Sequence, residues 1–246
     1  MRDRQEGPAL TDEVAIVTGA SSGIGREITL TFAQEGANVV LAARREAKLM
    51  EVAREVRNRG GESLVVPTDV SQEDQVVAMV GQALAQFGRV DVLVNNSGMG
   101  YWGPVVGFKA EDWDEVFDVN VKGTFLCSRE VLPTMVEQRS GRIINISSDA
   151  GVIPFAESTA YCAAKAAVVA FSRCLALEML PHDVGVHVIC PGYVDTPWYD
   201  GDSSAPDRGK MLKAEDIARL ALYLASLPPR VLIDQVMIQP RGMAME

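Results

Sequence analysis

The chain switches repeatedly between two hydrophobic periods. Short β-branched apolar runs occur at 14–18 (VAIVT), 38–42 (NVVLA), 63–67 (SLVVP), 90–95 (VDVLVN), 142–147 (RIINIS), 185–190 (GVHVIC) and 231–238 (VLIDQVMI). The first run is followed by a helical pattern to about Glu35, and the next ones by patterns at 45–59 and 72–87. After the fourth run a loop precedes a helix expected over 111–138, and further helices are expected at 158–180 and 214–226. Runs that are apolar throughout read as strands buried on both faces. Strand alternating with helix implies right-handed crossovers and a parallel sheet with helices on both sides. No linker, repeat or low-complexity segment interrupts the pattern, so residues 1–246 are expected to form one domain, with 1–10 as an exposed tail. The loop 196–210 (TPWYDGDSSAPDRGK) is the most polar stretch and is expected to be the most mobile.

Composition narrows the function. A chain of 246 residues, 48% of them hydrophobic, can bury a large core. Its net charge of −10 argues against a nucleic-acid binder, which needs a basic face, and against an anionic membrane surface. The run from Ala163 to Phe171 ends before Arg173, too short to span a bilayer, and the N-terminal MRDRQEGPAL has no apolar signal-peptide region. A cytoplasmic protein is therefore expected. The four cysteines (Cys127, Cys162, Cys174, Cys190) show no paired spacing and are expected to be reduced and buried. The two histidines, His182 and His187, do not suggest a metal site.

Candidate chemistry begins at TGASSGIG (18–25), where the first strand gives way to the first helix. Gly19, Gly23 and Gly25 permit a tight turn and close backbone approach. The helix start beyond them offers unpaired N–H groups and a positive dipole end, and Ser21 and Ser22 add hydroxyls. Glycines also serve ordinary turns, but strand before and helix after supply the context for nucleotide binding. At the end of the second strand a carboxylate would hold the ribose hydroxyls of NAD, whereas a cation would accept the 2′-phosphate of NADP. Here Ala43 is followed by Arg44 and Arg45, which favours NADP over NAD, although both arginines could simply be solvated. Asp69, after the third strand, could accept from an adenine amino group or serve its own turn.

In AYCAAK, Tyr161 and Lys165 lie four apart and so share a helix face, in a run rich in alanine. At this point the sequence resembles the single-domain short-chain dehydrogenase/reductase family. The resemblance rests on TGASSGIG, NNSG (95–98), NVKGTF (120–125), INISS (144–148), YCAAK (161–165) and PGYVDTP (191–197), in that order. It implies a three-layer, doubly wound Rossmann fold with a seven-stranded parallel sheet, a bound NAD(P), and a catalytic set of Asn120, Ser148, Tyr161 and Lys165. It also implies cofactor contacts at Ile24, Val70, Asn96, Ser97, Gly98, Pro191, Gly192, Val194 and Thr196. Two departures stand out. Ser97 occupies a position that is usually alanine, and the C-terminal MIQPRGMAME lacks the usual ending.

The chemistry explains the pair. Hydride transfer to a carbonyl develops negative charge on oxygen, so a proton donor must be poised there. An ammonium beside a phenol is expected to lower the phenol's pKa from about 10. Tyr161 would be acid in reduction and base in oxidation, Ser148 would orient the substrate oxygen, and Asn120 would hold a water behind Lys165. Met99, Tyr101, Trp102, Val152, Ile153, Phe155, Tyr193, Trp198 and Tyr199 are expected to form an apolar, aromatic substrate wall. The reading is an NADP(H)-dependent carbonyl reductase or alcohol dehydrogenase. A 3-oxoacyl-carrier-protein reductase is the runner-up, disfavoured by the acidic balance, and a non-catalytic dinucleotide sensor is a third reading. A tetramer is expected, with a dimer as fallback, from the broad apolar surface of 158–180 and a second face carrying Val116, Val119, Phe125 and Leu132.

Overall fold

The computed structural model describes residues 8–242 apart from Asp202 and Ser204. Strands β1 (Val14–Thr18), β2 (Asn38–Ala43), β3 (Ser63–Pro67), β4 (Val92–Asn95), β5 (Gly141–Ile146) and β6 (Val184–Pro191) are joined by helices α1 (Gly23–Gln34), α2 (Glu46–Asn58), α3 (Glu73–Phe87), α4 (Ala110–Phe117), α5 (Gly123–Gln138) and α6 (Thr159–Met179). A two-residue strand β7 (Val194–Asp195) pairs with β8 (Leu212–Lys213), and α7 (Ala214–Ala225) leads to the last strand, β9 (Gln235–Ile238). The main sheet is parallel and seven-stranded, in the order β3-β2-β1-β4-β5-β6-β9.

Alternation within each strand builds two cores. Ala15 and Val17 of β1 face α1, α2 and α7 through Ile28, Phe32, Leu49 and Leu224. Val14 and Ile16 face α3, α5 and α6 through Met79, Leu126, Met135 and Leu175. Each of these side chains is fully or nearly fully buried, and all but Ala15 contribute about 1.5–3 kcal/mol apiece. Because β2 and β4 flank β1 on opposite sides, the chain reverses direction across the sheet there. A crevice therefore opens at the carboxyl ends of these strands, where ligands of open α/β sheets bind.

Several expectations need correction. Leu10 is completely buried and Ala9 N donates to Glu35 Oε2 at 2.9 Å, so the expected tail is shorter by these residues; 1–7 lie outside the described residues. The last strand starts at Gln235 rather than 231. Just before it, the Ile233 carbonyl accepts from the His187 ring at Nδ1, 2.7 Å away. The helix expected over 111–138 contains a π turn, Asp118–Lys122, centred on Asn120. Thr159–His182, 24 residues, is long and apolar enough to cross a bilayer, more than the short run noted in sequence, but here it packs along β6. Of the cysteines, Cys127 and Cys190 are buried, Cys162 is half-buried and Cys174 is exposed. In the segment 196–210, of which Asp202 and Ser204 lie outside the described residues, Arg208 donates to Asp195 Oδ1 (2.6 Å), Asp200 Oδ1 (2.9 Å) and Thr196 O (3.0 Å).

Candidate active site

A cleft of about 840 Å³ runs along the carboxyl edge of the sheet. One end is built by the turn between β1 and α1. Gly19 has φ +66°, and a Cβ there would come within 2.7 Å of Asn96 Nδ2 and 3.2 Å of Ser97 N. Only glycine leaves that space open. Gly25 does not line the cleft as expected; a Cβ on it would overlap Gly19 O and Asn96 Nδ2, so it serves close helix packing. Thr18, which the sequence reading passed over, ties the turn down: its buried hydroxyl accepts from Asn96 N (2.9 Å) and Ser97 N (3.0 Å).

Ser22 is the N-cap residue of α1 but makes no side-chain cap bond, so its hydroxyl does not occupy the N–H groups of the first turn. Instead Arg45 donates to Ser21 Oγ (3.0 Å) and Ser22 Oγ (2.9 Å). A helix N-terminus, two hydroxyls and a guanidinium thus converge beside an open glycine turn. That donor set fits a dinucleotide pyrophosphate. Arg44 also lines the cleft, with Ala43 at the end of β2. Asp69 and Val70 line it too, although Asp69 Oδ1 is engaged by Ser71 N (3.0 Å) and Ser71 Oγ (2.8 Å), the turn role. Ile24, Gly23, Ser97, Gly98, Pro191, Gly192, Val194 and Thr196 complete the expected contacts that face the cleft.

At the other end lie Ser148, Tyr161 and Lys165. Ser148 sits just after β5, where its Oγ accepts from Ala150 N (3.1 Å) and donates to Asp149 Oδ1 (3.0 Å). Tyr161 and Lys165 project from α6, with Lys165 Nζ 5.6 Å from the Tyr161 ring centre. Lys165 is buried and donates to Ile146 O at 3.1 Å. Burial pulls its ammonium down to about 8. Burial also pushes the Tyr161 phenol above its ordinary value, and a hydrogen bond from Ser148 opposes that rise. The expectation that Lys165 lowers the phenol is therefore corrected for the protein alone: the dominant influence is loss of water around the hydroxyl.

Asn120 does not line the cleft. It is buried behind it, with Nδ2 donating to Met99 O and Val116 O, both at 2.8 Å, while Oδ1 has no hydrogen-bond partner. A Cβ on Gly98 would lie 2.9 Å from Asn120 Oδ1 and 3.2 Å from Lys165 Nζ, so both atoms flank one small space at this glycine. Asn120 lies within the π turn Asp118–Lys122, a local departure from the α-helix that is frequent at functional sites.

Met99, Trp102, Phe155, Tyr193, Trp198 and Tyr199 line the substrate end. Trp102, Tyr161 and Trp198 form a triangle of rings with centres 5.8–6.0 Å apart. Tyr101, Val152 and Ile153, expected in this wall, do not line it. Tyr101 turns to Glu115 Oε2 (2.8 Å), and Val152 is exposed. Asp149 and Glu157 line the cleft and were missed: neither belongs to a motif, and only the loop path brings them in. The Asn residues of NNSG and INISS have a supporting role. Asn95 Nδ2 donates to Asn145 Oδ1 (2.8 Å) and Ser128 Oγ (3.0 Å), cross-linking β4 and β5 under the cleft. Among the described residues, no group of three or more His, Cys, Asp or Glu side chains is placed to hold a metal.

Known proteins resemble this chain in sequence and in fold. The short chain dehydrogenase family model matches residues 13–206. An oxidoreductase of Staphylococcus aureus is 38% identical over 231 residues, covering 94% of this chain and 98% of that protein. One from Staphylococcus saprophyticus is 40% identical over 234 residues, with the same shares covered. Among solved structures, a metagenomic short-chain oxidoreductase in complex with NADP is 36% identical, with TM-score 0.84 over 94% of this chain and 98% of that one. A short-chain dehydrogenase/reductase from Mycobacterium marinum is 32% identical, with TM-score 0.90 over 96% and 97%. By sequence along most of its length and by fold, the chain belongs to the short-chain dehydrogenase/reductase family, oxidoreductases that bind a nicotinamide dinucleotide.

Proposed function

We propose that the protein is an NADP(H)-dependent oxidoreductase interconverting a carbonyl compound and a secondary alcohol. The observation that carries this reading is that one cleft holds both the glycine turn at the start of α1 and the group Ser148, Tyr161 and Lys165. The bound nicotinamide supplies or accepts the hydride. The chain's own residues bind, orient and move the proton. Tyr161 is the proton donor in reduction and the acceptor in oxidation. Ser148 orients the substrate oxygen by hydrogen bonding. Lys165 holds the nicotinamide ribose and, when charged, favours the phenolate form of Tyr161. Asn120, with its free Oδ1 beside Lys165, supports a water-linked proton path.

NADP is favoured over NAD by Arg44 and Arg45 at the end of β2, where no acid stands at Ala43. A metagenomic relative bound to NADP supports the same preference. The ring triangle of Trp102, Tyr161 and Trp198 suits a carbon-rich carbonyl compound. Among the described residues, no Lys or Arg apart from Lys165 lines that end, which supports a free small molecule over an acyl group on an acidic carrier.

The test is Tyr161→Phe, assayed by NADPH consumption across a panel of aldehydes, ketones and 3-oxo esters, with cofactor binding measured by calorimetry. Turnover should vanish while NADPH binding stays near wild type. More than about a tenth of wild-type activity would contradict a proton-transfer role worth roughly 10²–10⁴-fold.

A further inference from the structure

We infer that Asp149 is a positioning residue that holds the Ser148 hydroxyl proton away from Tyr161 and so biases the protein toward carbonyl reduction. The inference rests on the proposed role of Tyr161 and adds a direction to it.

The Ser148 hydroxyl has one proton and several neighbours that could take it. Asp149 Oδ1 lies at 3.0 Å and the Pro191 carbonyl at 3.5 Å, and Ser148 also acts on the Tyr161 hydroxyl, whose pKa it lowers. A carboxylate is the strongest of these acceptors unless Tyr161 is itself ionised. Asp149 is held in place from its other side. Its Oδ2 accepts from Gln239 Nε2 at 3.5 Å, and a Cβ on Gly192 would stand 3.2 Å from that oxygen, so the backbone after β6 closes on it. Its own carbonyl accepts from Val152 N (2.8 Å) and Ile153 N (2.7 Å), which fixes the turn that aims the side chain.

The consequence lies in the direction of hydrogen bonding. When Ser148 donates to Asp149, its oxygen can only accept from Tyr161. Ala150 N already uses part of that acceptor capacity. Tyr161 must then keep its proton to make the bond. A hydrogen bond donated by Ser148 to Tyr161 favours the phenolate; whenever Asp149 takes that proton the phenolate loses this support and faces a carboxylate of like charge. The groups that act on the Tyr161 hydroxyl are Ser148 and Asp149 from the segment after β5, Tyr199 from the segment after β7, and Cys162 and Lys165 from α6 itself. Lys165 is the one basic side chain in this set, and its ammonium is directed to Ile146 O. Burial already pushes the phenol up, and Asp149 adds to that rise.

In reduction the hydride adds to the carbonyl carbon, the Tyr161 O–H bond breaks, and a new O–H forms on the substrate oxygen. The phenolate left behind then regains a proton from solvent. Oxidation needs the phenolate first, and Asp149 opposes its formation.

The test is Asp149→Asn, with Asp149→Glu as the charge-preserving partner. The pH profile of kcat/KM for alcohol oxidation is measured for wild type and both variants with saturating NADP⁺. A second readout is independent of turnover: ultraviolet difference titration of Tyr161 in the NADP⁺ complex, each protein referenced to its Tyr161→Phe counterpart. Asp149→Asn should move both the rising limb of oxidation and the Tyr161 titration down by about one pH unit, equivalent to about tenfold faster oxidation on that limb. Asp149→Glu should stay close to wild type. The role of Asp149 is overturned if Asp149→Asn binds NADP⁺ yet leaves both profiles unmoved. It is equally overturned if Asp149→Glu shifts as far as Asp149→Asn, since shape and not charge would then be at work. Should Tyr161→Phe itself turn over normally, the proton-donor reading fails instead.

Discussion

Replacing Lys165 by methionine should stabilise the protein while abolishing its turnover. Lys165 is 5% exposed, and burial lowers its pKa from 10.5 to about 8. At 1.36 kcal/mol per pH unit, that difference corresponds to about 3 kcal/mol by which the folded state disfavours the ammonium. Methionine removes this cost at similar length. The loss is the Nζ donation to Ile146 O at 3.1 Å, whose carbonyl would go unpaired, at about 1 kcal/mol. The net gain at neutral pH is about 2 kcal/mol, or about 4–8 °C in Tm for a chain of this size. The pH dependence has a definite sign. Below a pH of about 8 both states hold the proton, and the folded protein carries the full cost. Between about 8 and 10.5 the unfolded chain still holds the proton that the folded protein has released, so wild-type stability rises with pH. Above 10.5 the cost is gone. Lys165→Met lacks this rise, so the two proteins should converge as pH increases. Urea denaturation at about pH 7 and about pH 10, at one protein concentration, reads both effects. A variant less stable at neutral pH, or a gap that does not narrow with pH, would refute the reasoning.

Arg44→Ala and Arg45→Ala should each lower the ratio of kcat/KM for NADPH over NADH by about tenfold or more, as the loss of a charge-assisted phosphate contact implies; an unchanged ratio in both variants would remove the basis for NADP preference. Gly25→Ala should cost more than the ordinary 1–3 kcal/mol of overpacking and weaken dinucleotide binding, because backbone at Gly19 must move; thermal denaturation and calorimetry check it. A tetramer is expected from the face of α6 that leaves Leu177 67% exposed and from Phe125 of α5, 42% exposed and edge-on to Phe171 at 6.5 Å. Light scattering should report about four times 26.6 kDa, and a clean monomer would overturn it. Val116, read from sequence as part of that second face, is fully buried against Ala160 and Ala164 and cannot contribute.

What the sequence by itself determined is whatever depends on neighbours along the chain. The strands of the sheet were legible because β1, β2, β4, β5 and β6 are largely buried on both faces and therefore mostly apolar, with Arg142 and Asn145 in β5 and His187 in β6 among the buried polar exceptions. The glycine turn was legible because strand, glycines and helix follow one another in TGASSGIG, and the Tyr161–Lys165 pair because α6 places residues four apart on one face. Tertiary structure alone decided what depends on distance through space. The carbonyl just before β9 meets a histidine on β6, and Leu10 is buried by the core beneath it. Tyr101, Val152 and Ile153 share loops with cleft residues, and no period marks which way a loop side chain turns. Arg45 reaching Ser21 and Ser22, and Asp149 against Ser148 and Gln239, bring together residues from separate segments or turn a neighbour inward. The direction of the Tyr161 shift belongs to the same class. A cation one helical turn away is visible in the sequence, but the loss of water that outweighs it is a property of everything packed around the hydroxyl.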